Sequence, residues 1–276
     1  MLASTYFRNM LNGQWAEASS SVGALRTIKE HDWDEAAFVI VLDIIHGHHR
    51  EVPNSLALQL LCKISVIVDF YCCHEVVEPT VQQWLGNMTI FPKTYDQECL
   101  LWLSVSWVFS LHDVFQNMTK LVIVHSTSLQ NVSSLPIGEV LEKLDSIRVS
   151  RVAKILKALD DLKSELLTDK PKCSFECSTM MLGLLARVMH ALTSTKEPVS
   201  EPYVGYNPTS IKELIAQHQM RSSRETSRHR NHHKCTISDS LKGALEAISH
   251  DFVGLKLKDI RGDPETSDSK RRRVEV

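Results

Sequence analysis

The sequence predicts a mainly α-helical protein with one short strand, and three observations lead to this class. Apolar residues recur at three- and four-residue steps through most of the 276 residues, which is the periodicity of helices that pack against a core. Segment 97–109 is apolar nearly all round, as in a buried central helix. Only segment 24–29, where polar residues separate Leu25 from Ile28, has the pattern of a strand.

The front of the chain contains four predicted helices. Asp32 and Glu35 form a capping signature for the second, which is expected to end at Gly47 because glycine readily adopts the conformation that closes a helix. Pro79 lies in or near the first turn of the fourth, where its missing N–H costs little. The sequence pattern predicts the segments 32–47, 56–68 and 75–85, whereas the first helix, over 1–11, is implied by a family resemblance.

Helical patterns continue to the rear of the chain. In the longest, Val152, Ile155 and Leu159 begin a stripe that resembles coiled-coil spacing but covers barely two heptads. We therefore favour a helix packed in a bundle over a coiled coil. The predicted segments are 97–109, 115–126, 137–167, 175–192, 211–218 and 238–252, and an extended loop with three prolines covers 195–208.

Charge is unevenly distributed, although the formal net charge is only −2. Residues 1–100 carry 6 Lys and Arg against 12 Asp and Glu, whereas residues 211–276 carry 14 against 10. The near-neutral total argues against nucleic acid as the principal partner. An acidic front and a basic rear predict different partners for the two ends.

Several features predict an intracellular protein. The seven cysteines are an odd number without a disulfide spacing pattern, and no secretory signal opens the sequence. No apolar run reaches the roughly 18 residues that a membrane-spanning helix needs. Catalytic motifs such as G-x-S-x-G, the P-loop and H-E-x-x-H are absent. We expect a non-enzymatic protein of the nucleus, the cytoplasm or both, with no membrane partner.

A series of short strings has a recognisable order and spacing. The strings are Met1-Leu-Ala-Ser4 with Phe7 and Met10, Phe38 to Gly47, Val52-Pro53, Val68-Asp-Phe-Tyr71, Cys73-His-Glu75, Val77-Glu-Pro79 with Trp84, Leu101-Trp102, Trp107-Val-Phe109 and Leu135-Pro-Ile137. Together they resemble the BTB/POZ domain family, and in particular its fungal branch. The resemblance implies an incomplete BTB/POZ α/β fold followed by a helical bundle.

The resemblance also implies a domain organisation. Family members begin with a strand pair and a crossover before the helix where this sequence starts, so a truncated domain is expected and homodimerisation through those elements is put in doubt. The implied segments are a partial BTB/POZ domain over 1–85, a helical extension over 86–167, a C-terminal helical region over 168–260 with a basic linker at 221–234, and a disordered basic tail over 261–276.

Trp15 and Glu17 follow the first helix with a hydrophobic-x-Glu pattern. In the BTB adaptors that the chain resembles, this pattern contacts the cullin scaffold of ubiquitin ligases. An apolar anchor beside an acid suits a groove with a basic rim. The resemblance therefore implies a cullin as partner, and the alternative is a tryptophan that only covers the domain edge.

Cys173 and Cys177 are the best metal candidates, because zinc thiolates are usually separated by roughly two to four residues. The similar fungal sequences carry a later His/Cys cluster, which here supplies His233 and Cys235 as the remaining zinc ligands. The alternative is a pair of reduced thiols near a helix start, followed later by a polar linker.

A compact run of cations lies in a tail whose Gly, Pro, Ser and Asp content favours an extended chain. The run comprises Lys270, Arg271, Arg272 and Arg273. Such runs bind acidic grooves on nuclear import receptors, so the pattern predicts an import signal. The alternative is a solvated basic end that only aids solubility.

The predicted function is a non-enzymatic protein–protein interaction module. The resemblance implies a substrate adaptor that brings a substrate protein to a cullin-type ubiquitin ligase. The alternative is a nuclear transcription or chromatin regulator of the BTB type, although no zinc finger of Cys2His2 spacing is present.

Overall fold

The computed structural model describes residues 4–12, 32–88, 90–129, 134–168, 174–194, 199–226, 236–250 and 253–262. Within these ranges the chain is mainly helical and contains no strand, so the mainly α-helical prediction is confirmed. The predicted strand at 24–29 lies outside the described residues. The helices are α1 (Thr5–Asn12), α2 (Glu35–His46), α3 (Leu58–Phe70), α4 (His74–Gly86), α5 (Gln97–Val108), α6 (His112–His125), α7 (Gly138–Leu166), α8 (Phe175–Thr193), α9 (Pro208–Thr226), α10 (Ile237–His250) and α11 (Lys258–Arg261).

The chain divides into two compact units, and each is described by itself. Unit 1 comprises Met1–Met118, Val132–Gly138 and Lys256–Val276, and unit 2 comprises Thr119–Asn131 and Glu139–Leu255. Both units combine segments that are distant in the sequence. Among the described helices, none is long and apolar enough to cross a membrane.

The core of unit 1 forms around α3, which packs against α2, α4 and α5. Helix α5 is buried on several sides, as its apolar sequence predicts. Two serines, Ser104 and Ser106, are part of this core, and the hydroxyl of Ser106 donates to the Leu103 carbonyl oxygen at 3.0 Å. The buried residues of α5 are Cys99, Trp102, Leu103, Ser104, Val105, Ser106 and Val108.

The N-terminal cap of α2 differs from the prediction. Asp34, not Asp32, is the cap residue: its backbone is extended and its carboxylate accepts from the Ala37 backbone N–H at 3.0 Å. The cap is fixed by where helical dihedral angles begin, and Glu35 already belongs to the helix. The C-terminal prediction is confirmed, because Gly47 closes the helix with a φ of 77°.

A second contact of unit 1 involves Arg261 at the end of α11. Its guanidinium carbon lies 4.3 Å from the ring centroid of Trp107, a cation–π arrangement. The same group donates to the Ser110 hydroxyl oxygen at 2.7 Å and to the Trp107 carbonyl oxygen. These contacts fix the short helix α11 to the end of α5 within unit 1.

The core of unit 2 is built from α7, α8, α9 and α10. The predicted stripe of α7 supplies Val152, Ile155, Leu159 and Leu162 to this core. Because these residues pack on other helices of the same unit, the bundle interpretation of α7 is supported. The other buried members are Leu185, Val188, Leu192, Tyr206, Ile211, Ile215, Ile237 and Leu241.

Helix α9 is longer than its apolar pattern indicates. The prediction ended it at His218 and began a linker at residue 221, but the helix continues to Thr226. Residues 219–226 lack glycine and proline and include the good helix formers Gln, Met, Arg and Glu, so the backbone can stay helical after the apolar pattern of the sequence has ended. The rest of the predicted linker lies outside the described residues.

Arg148 is the most deeply buried charged residue among those described, with 1% of its surface exposed. Its guanidinium donates to the carbonyl oxygens of Pro202 (2.9 Å), Tyr203 (3.0 Å) and Tyr206 (3.0 Å). A fourth bond, from Nε to the Asp145 carboxylate at 2.8 Å, supplies the counter-charge. Burial of this cation is tolerated because the N–H groups of its guanidinium form these four hydrogen bonds.

These bonds fix the non-helical segment 199–207 on unit 2. The hydroxyl of Tyr206 donates to the Leu192 carbonyl oxygen at 2.9 Å, and the backbone N–H of Gly205 donates to the Thr127 carbonyl oxygen at 3.0 Å. Gly205 has a φ of 85°, a backbone conformation that is strained for a residue with a side chain. The segment therefore has a defined conformation without being helical.

Candidate functional site

Aromatic side chains from three segments of unit 1 meet at the end of α3. Tyr71, which follows α3 directly and is 1% exposed, lies at the centre. Its ring stacks on Phe7 with centroids 4.7 Å apart and lies edge-on to Tyr6 at 5.2 Å. We call this group the aromatic cluster, and its members are Tyr6, Phe7, Trp33, Phe38, Phe70 and Tyr71.

Ser4 attaches the first helix to this cluster. Its hydroxyl donates to the Tyr71 carbonyl oxygen at 2.6 Å and accepts from the Phe7 backbone N–H at 3.1 Å. The second bond caps the N-terminus of α1, and the first ties that cap to the residue after α3. Because Ser4 is buried, both bonds form away from water, where an unpaired hydroxyl would be costly. Helix α1 therefore holds Tyr6 and Phe7 in place.

Trp33 reaches the cluster from the turn before α2. Its indole N–H donates to the Tyr71 hydroxyl oxygen at 2.9 Å, and its ring centroid lies 5.1 Å from that of Phe70. The next residue, Asp34, caps α2, and its carboxylate accepts a hydrogen bond from the Lys63 ammonium of α3 at 2.6 Å. The hydrogen bond from Lys63 is the main cause that lowers the pKa of the Asp34 carboxyl. The turn is thus fixed by two adjacent residues, Trp33 through Tyr71 and Asp34 through Lys63.

Phe70 is the member of the cluster that faces solvent. The residue is 47% exposed, whereas the adjacent Tyr71 is 1% exposed. The rings of Tyr6 and Trp33 lie 5.2 Å and 5.1 Å from the ring of Phe70 and hold it from two sides. An exposed aromatic ring with fixed neighbours is a feature of protein-binding surfaces, because little side-chain entropy is lost when a partner covers it.

Of the predicted site residues, only Cys177 lies within the described ranges. Cys177 is buried in α8, and its backbone N–H donates to the Ser174 hydroxyl oxygen at 3.2 Å, which caps that helix. The other predicted residues lie outside the described ranges: Trp15, Glu17, Cys173, His233, Cys235 and Lys270 to Arg273. Within those ranges, no group of three or more His, Cys, Asp or Glu side chains could hold a metal ion.

Most of the described cysteines are buried thiols. Burial raises the pKa of the Cys73 thiol to about 12, and burial likewise raises that of Cys99 to about 12. Such thiols stay protonated at neutral pH and are poor nucleophiles. Cys72 is exposed and has a φ of 50°, so it differs from the other described cysteines.

Comparisons with known proteins identify no relative. No family model, no curated protein and no solved structure matches the chain. The BTB/POZ resemblance stays a prediction.

The aromatic cluster was missed at the sequence level, although one signal was present. Helix residues are about 100° apart, so position 70 lies on the opposite side of α3 from the apolar stripe that includes Leu61 and Val68. A large aromatic residue off the buried stripe indicates an exposed ring. The partners in α1 and in the turn before α2 carry no such signal, because their proximity is a tertiary property.

Proposed function

We propose that the chain is a non-enzymatic protein–protein interaction module that binds a partner through the aromatic cluster of unit 1. The observation that carries the proposal is Phe70, a residue that is 47% exposed and whose ring is held between Tyr6 and Trp33. Binding energy at protein interfaces concentrates in a few aromatic residues at well-packed positions. Phe70 has the chemistry and the support of such a residue.

The support around Phe70 also lowers the cost of binding. A side chain that must be immobilised by its partner loses roughly 0.5–1.5 kcal/mol of the gain. Phe70 is already in contact with Tyr6, Trp33 and Tyr71, so most of that loss has occurred on folding. The exposed half of the ring can therefore contribute about 1–2 kcal/mol when a partner covers it.

We further propose that the partner set includes a cullin scaffold and a substrate protein. This part rests on the resemblance of the sequence to BTB adaptors and on the Trp15 and Glu17 pattern, an apolar anchor beside an acid. The aromatic cluster and the Trp15 pattern have no residue in common. An adaptor of this kind binds a cullin and a substrate protein at the same time.

Capture of a cullin by the full chain tests the adaptor role. We expect the wild-type chain to retain a cullin and the Trp15→Ala, Glu17→Lys double variant to lose it with an unchanged helical circular dichroism signal. Capture that survives the double change contradicts the site, and no capture by the wild type contradicts the adaptor role. Retention of DNA instead of a cullin would favour the nuclear regulator.

A second pair of variants tests the aromatic cluster as a docking surface. Phe70→Ser should lower the affinity for a protein that binds the aromatic cluster by about tenfold. Phe70→Gln should lower that affinity by the same factor, and its methylene groups retain part of the packing of the phenylalanine. Ile90→Ser is the matched control, because Ile90 is 87% exposed in the same unit. Equal affinities of a correctly folded Phe70→Gln variant and the wild type contradict the proposal.

A further inference from the structure

We infer that the segment bound by the aromatic cluster carries Lys or Arg next to an apolar residue. The inference rests on the proposed function and adds the chemistry of the partner. Its basis is the occurrence of carboxylates next to two aromatic rings of the cluster that touch each other, the half-buried Trp33 and the exposed Phe70.

Both rings are flanked by aspartates in the sequence. Asp32 and Asp34 lie on either side of Trp33, and Asp69 precedes Phe70. The ring centroids of Trp33 and Phe70 are only 5.1 Å apart, so all three carboxylates belong to residues adjacent to one aromatic pair. Asp32 is exposed, and the side chain of Asp69 is 40% exposed.

The nearby cations leave an excess of negative charge. Lys63 bonds to Asp34 at 2.6 Å, and the His74 ring lies 3.8 Å from Asp69, although it carries charge only when protonated. Arg8 lies beside Phe7 in α1, and the exposed Glu35 begins α2. Among the described residues in and next to the segments of the cluster, four carboxylates thus stand against two permanent cations, in agreement with the acidic balance of residues 1–100.

This combination selects a basic and apolar segment. A Lys or Arg side chain gains from the carboxylates of Asp32 and Asp69 and from the electron-rich face of an aromatic ring. An apolar side chain beside it covers the exposed part of Phe70. An acidic segment or a nucleic acid is repelled by the same carboxylates.

Selection from a random peptide library displayed on phage tests the inference. The full wild-type chain is the bait, and peptides that also bind the Phe70→Ser variant are removed. We expect the remaining peptides to be enriched in Lys or Arg within one or two positions of an aliphatic or aromatic residue. The selected peptides should lose about tenfold in affinity for an Asp32→Asn, Asp69→Asn double variant.

The outcomes separate the inference from the proposed function. Phe70-dependent peptides without an excess of Lys and Arg, or with undiminished affinity for the double variant, overturn the inference and leave the docking surface in place. A selection that yields no Phe70-dependent peptide overturns the docking surface as well. Exchange of both Asp160 and Asp161 for Asn, which removes two exposed carboxylates of unit 2, controls for the change in overall charge.

Discussion

The indole N–H of Trp33 donates a hydrogen bond of 2.9 Å to the hydroxyl oxygen of Tyr71. The two residues are 38 positions apart, and the bond joins the turn before α2 to the residue that ends α3. Because Trp33 and Tyr71 both contact Phe70, this bond helps to define the surface on which Phe70 is exposed.

Tyr71→Phe should lower the free energy of unfolding by about 1 kcal/mol. The exchange keeps the ring that stacks on Phe7 but removes the acceptor of the Trp33 indole N–H. Urea unfolding followed by circular dichroism measures the change. Tyr203→Phe makes the same chemical change in unit 2 and is the reference for loss of a hydroxyl outside the cluster. An unchanged free energy in Tyr71→Phe would show that the bond does not support the cluster.

Arg148→Met should destabilise the protein by about 3–5 kcal/mol, because it leaves three carbonyl oxygens and the Asp145 carboxylate without their donor. Arg187, an exposed residue of α8, is the matched control, and its exchange for Met should cost less than about 0.5 kcal/mol. Chemical unfolding of the two variants measures the difference. Similar small losses in both would contradict the role of Arg148 in holding segment 199–207.

Stability should fall in alkaline solution. The pKa values of the Cys73 and Cys99 thiols rise on folding from an ordinary value of 9.0 to about 12, because both are buried. Between these values the unfolded thiols lose their protons while the folded ones keep them, so folding becomes less favourable as pH rises. Each thiol can contribute up to about 1.4 kcal/mol per pH unit.

The pH dependence has its own test. The slope of unfolding free energy against pH, from about 9 upward, should be shallower in Cys73→Ala than in the wild type, since alanine does not titrate. Cys72→Ala is the comparison at the exposed neighbouring thiol. If Cys73→Ala and Cys72→Ala have the same slope as the wild type, the Cys73 thiol does not titrate differently in the folded and unfolded chain.

Zinc binding by Cys173 and Cys177 is predicted from the sequence alone. The purified chain should contain about one zinc ion, which is lost when Cys173 and Cys177 are changed to serine, and its affinity should fall in acid because thiolates bind the ion only when deprotonated. Metal analysis of both proteins measures this. Since Cys177 is buried in α8, Cys99→Ser serves as a control for the loss of a buried thiol. If the purified wild type contains no zinc and is no more stable than the serine variant, Cys173 and Cys177 are reduced thiols without a metal-binding role.

Helix positions could be predicted because they depend on local patterns. The apolar stripe of α7 and the glycine that ends α2 are readable within a few residues, and the structure confirms both. The predicted end of α9 was wrong because the apolar pattern of the sequence ends before the helical backbone does. The cap of α2 was misplaced by two residues because the sequence offers two aspartates and only the dihedral angles distinguish them.

The candidate site depended on contacts that no local pattern contains. Ser4 bonds to Tyr71 across 67 positions, and Arg148 bonds to Tyr206 across 58. Both units also combine segments that are distant in the sequence, and the local composition of the chain does not predict which segments pack together. The exposed Phe70 was the one part of the site with a local signal, because it lies off the buried stripe of α3.

Oxidative footprinting of Phe70 tests the central proposal most directly. Hydroxyl radicals modify exposed aromatic side chains, and mass spectrometry reads the extent at each residue. In the purified chain, Phe70 and Ile90 should both react, since they are 47% and 87% exposed. In complexes isolated from the cells that produce the protein, we expect Phe70 to become protected while Ile90 does not. Equal modification of Phe70 in the purified chain and in those complexes would contradict the proposal that the aromatic cluster binds a protein partner.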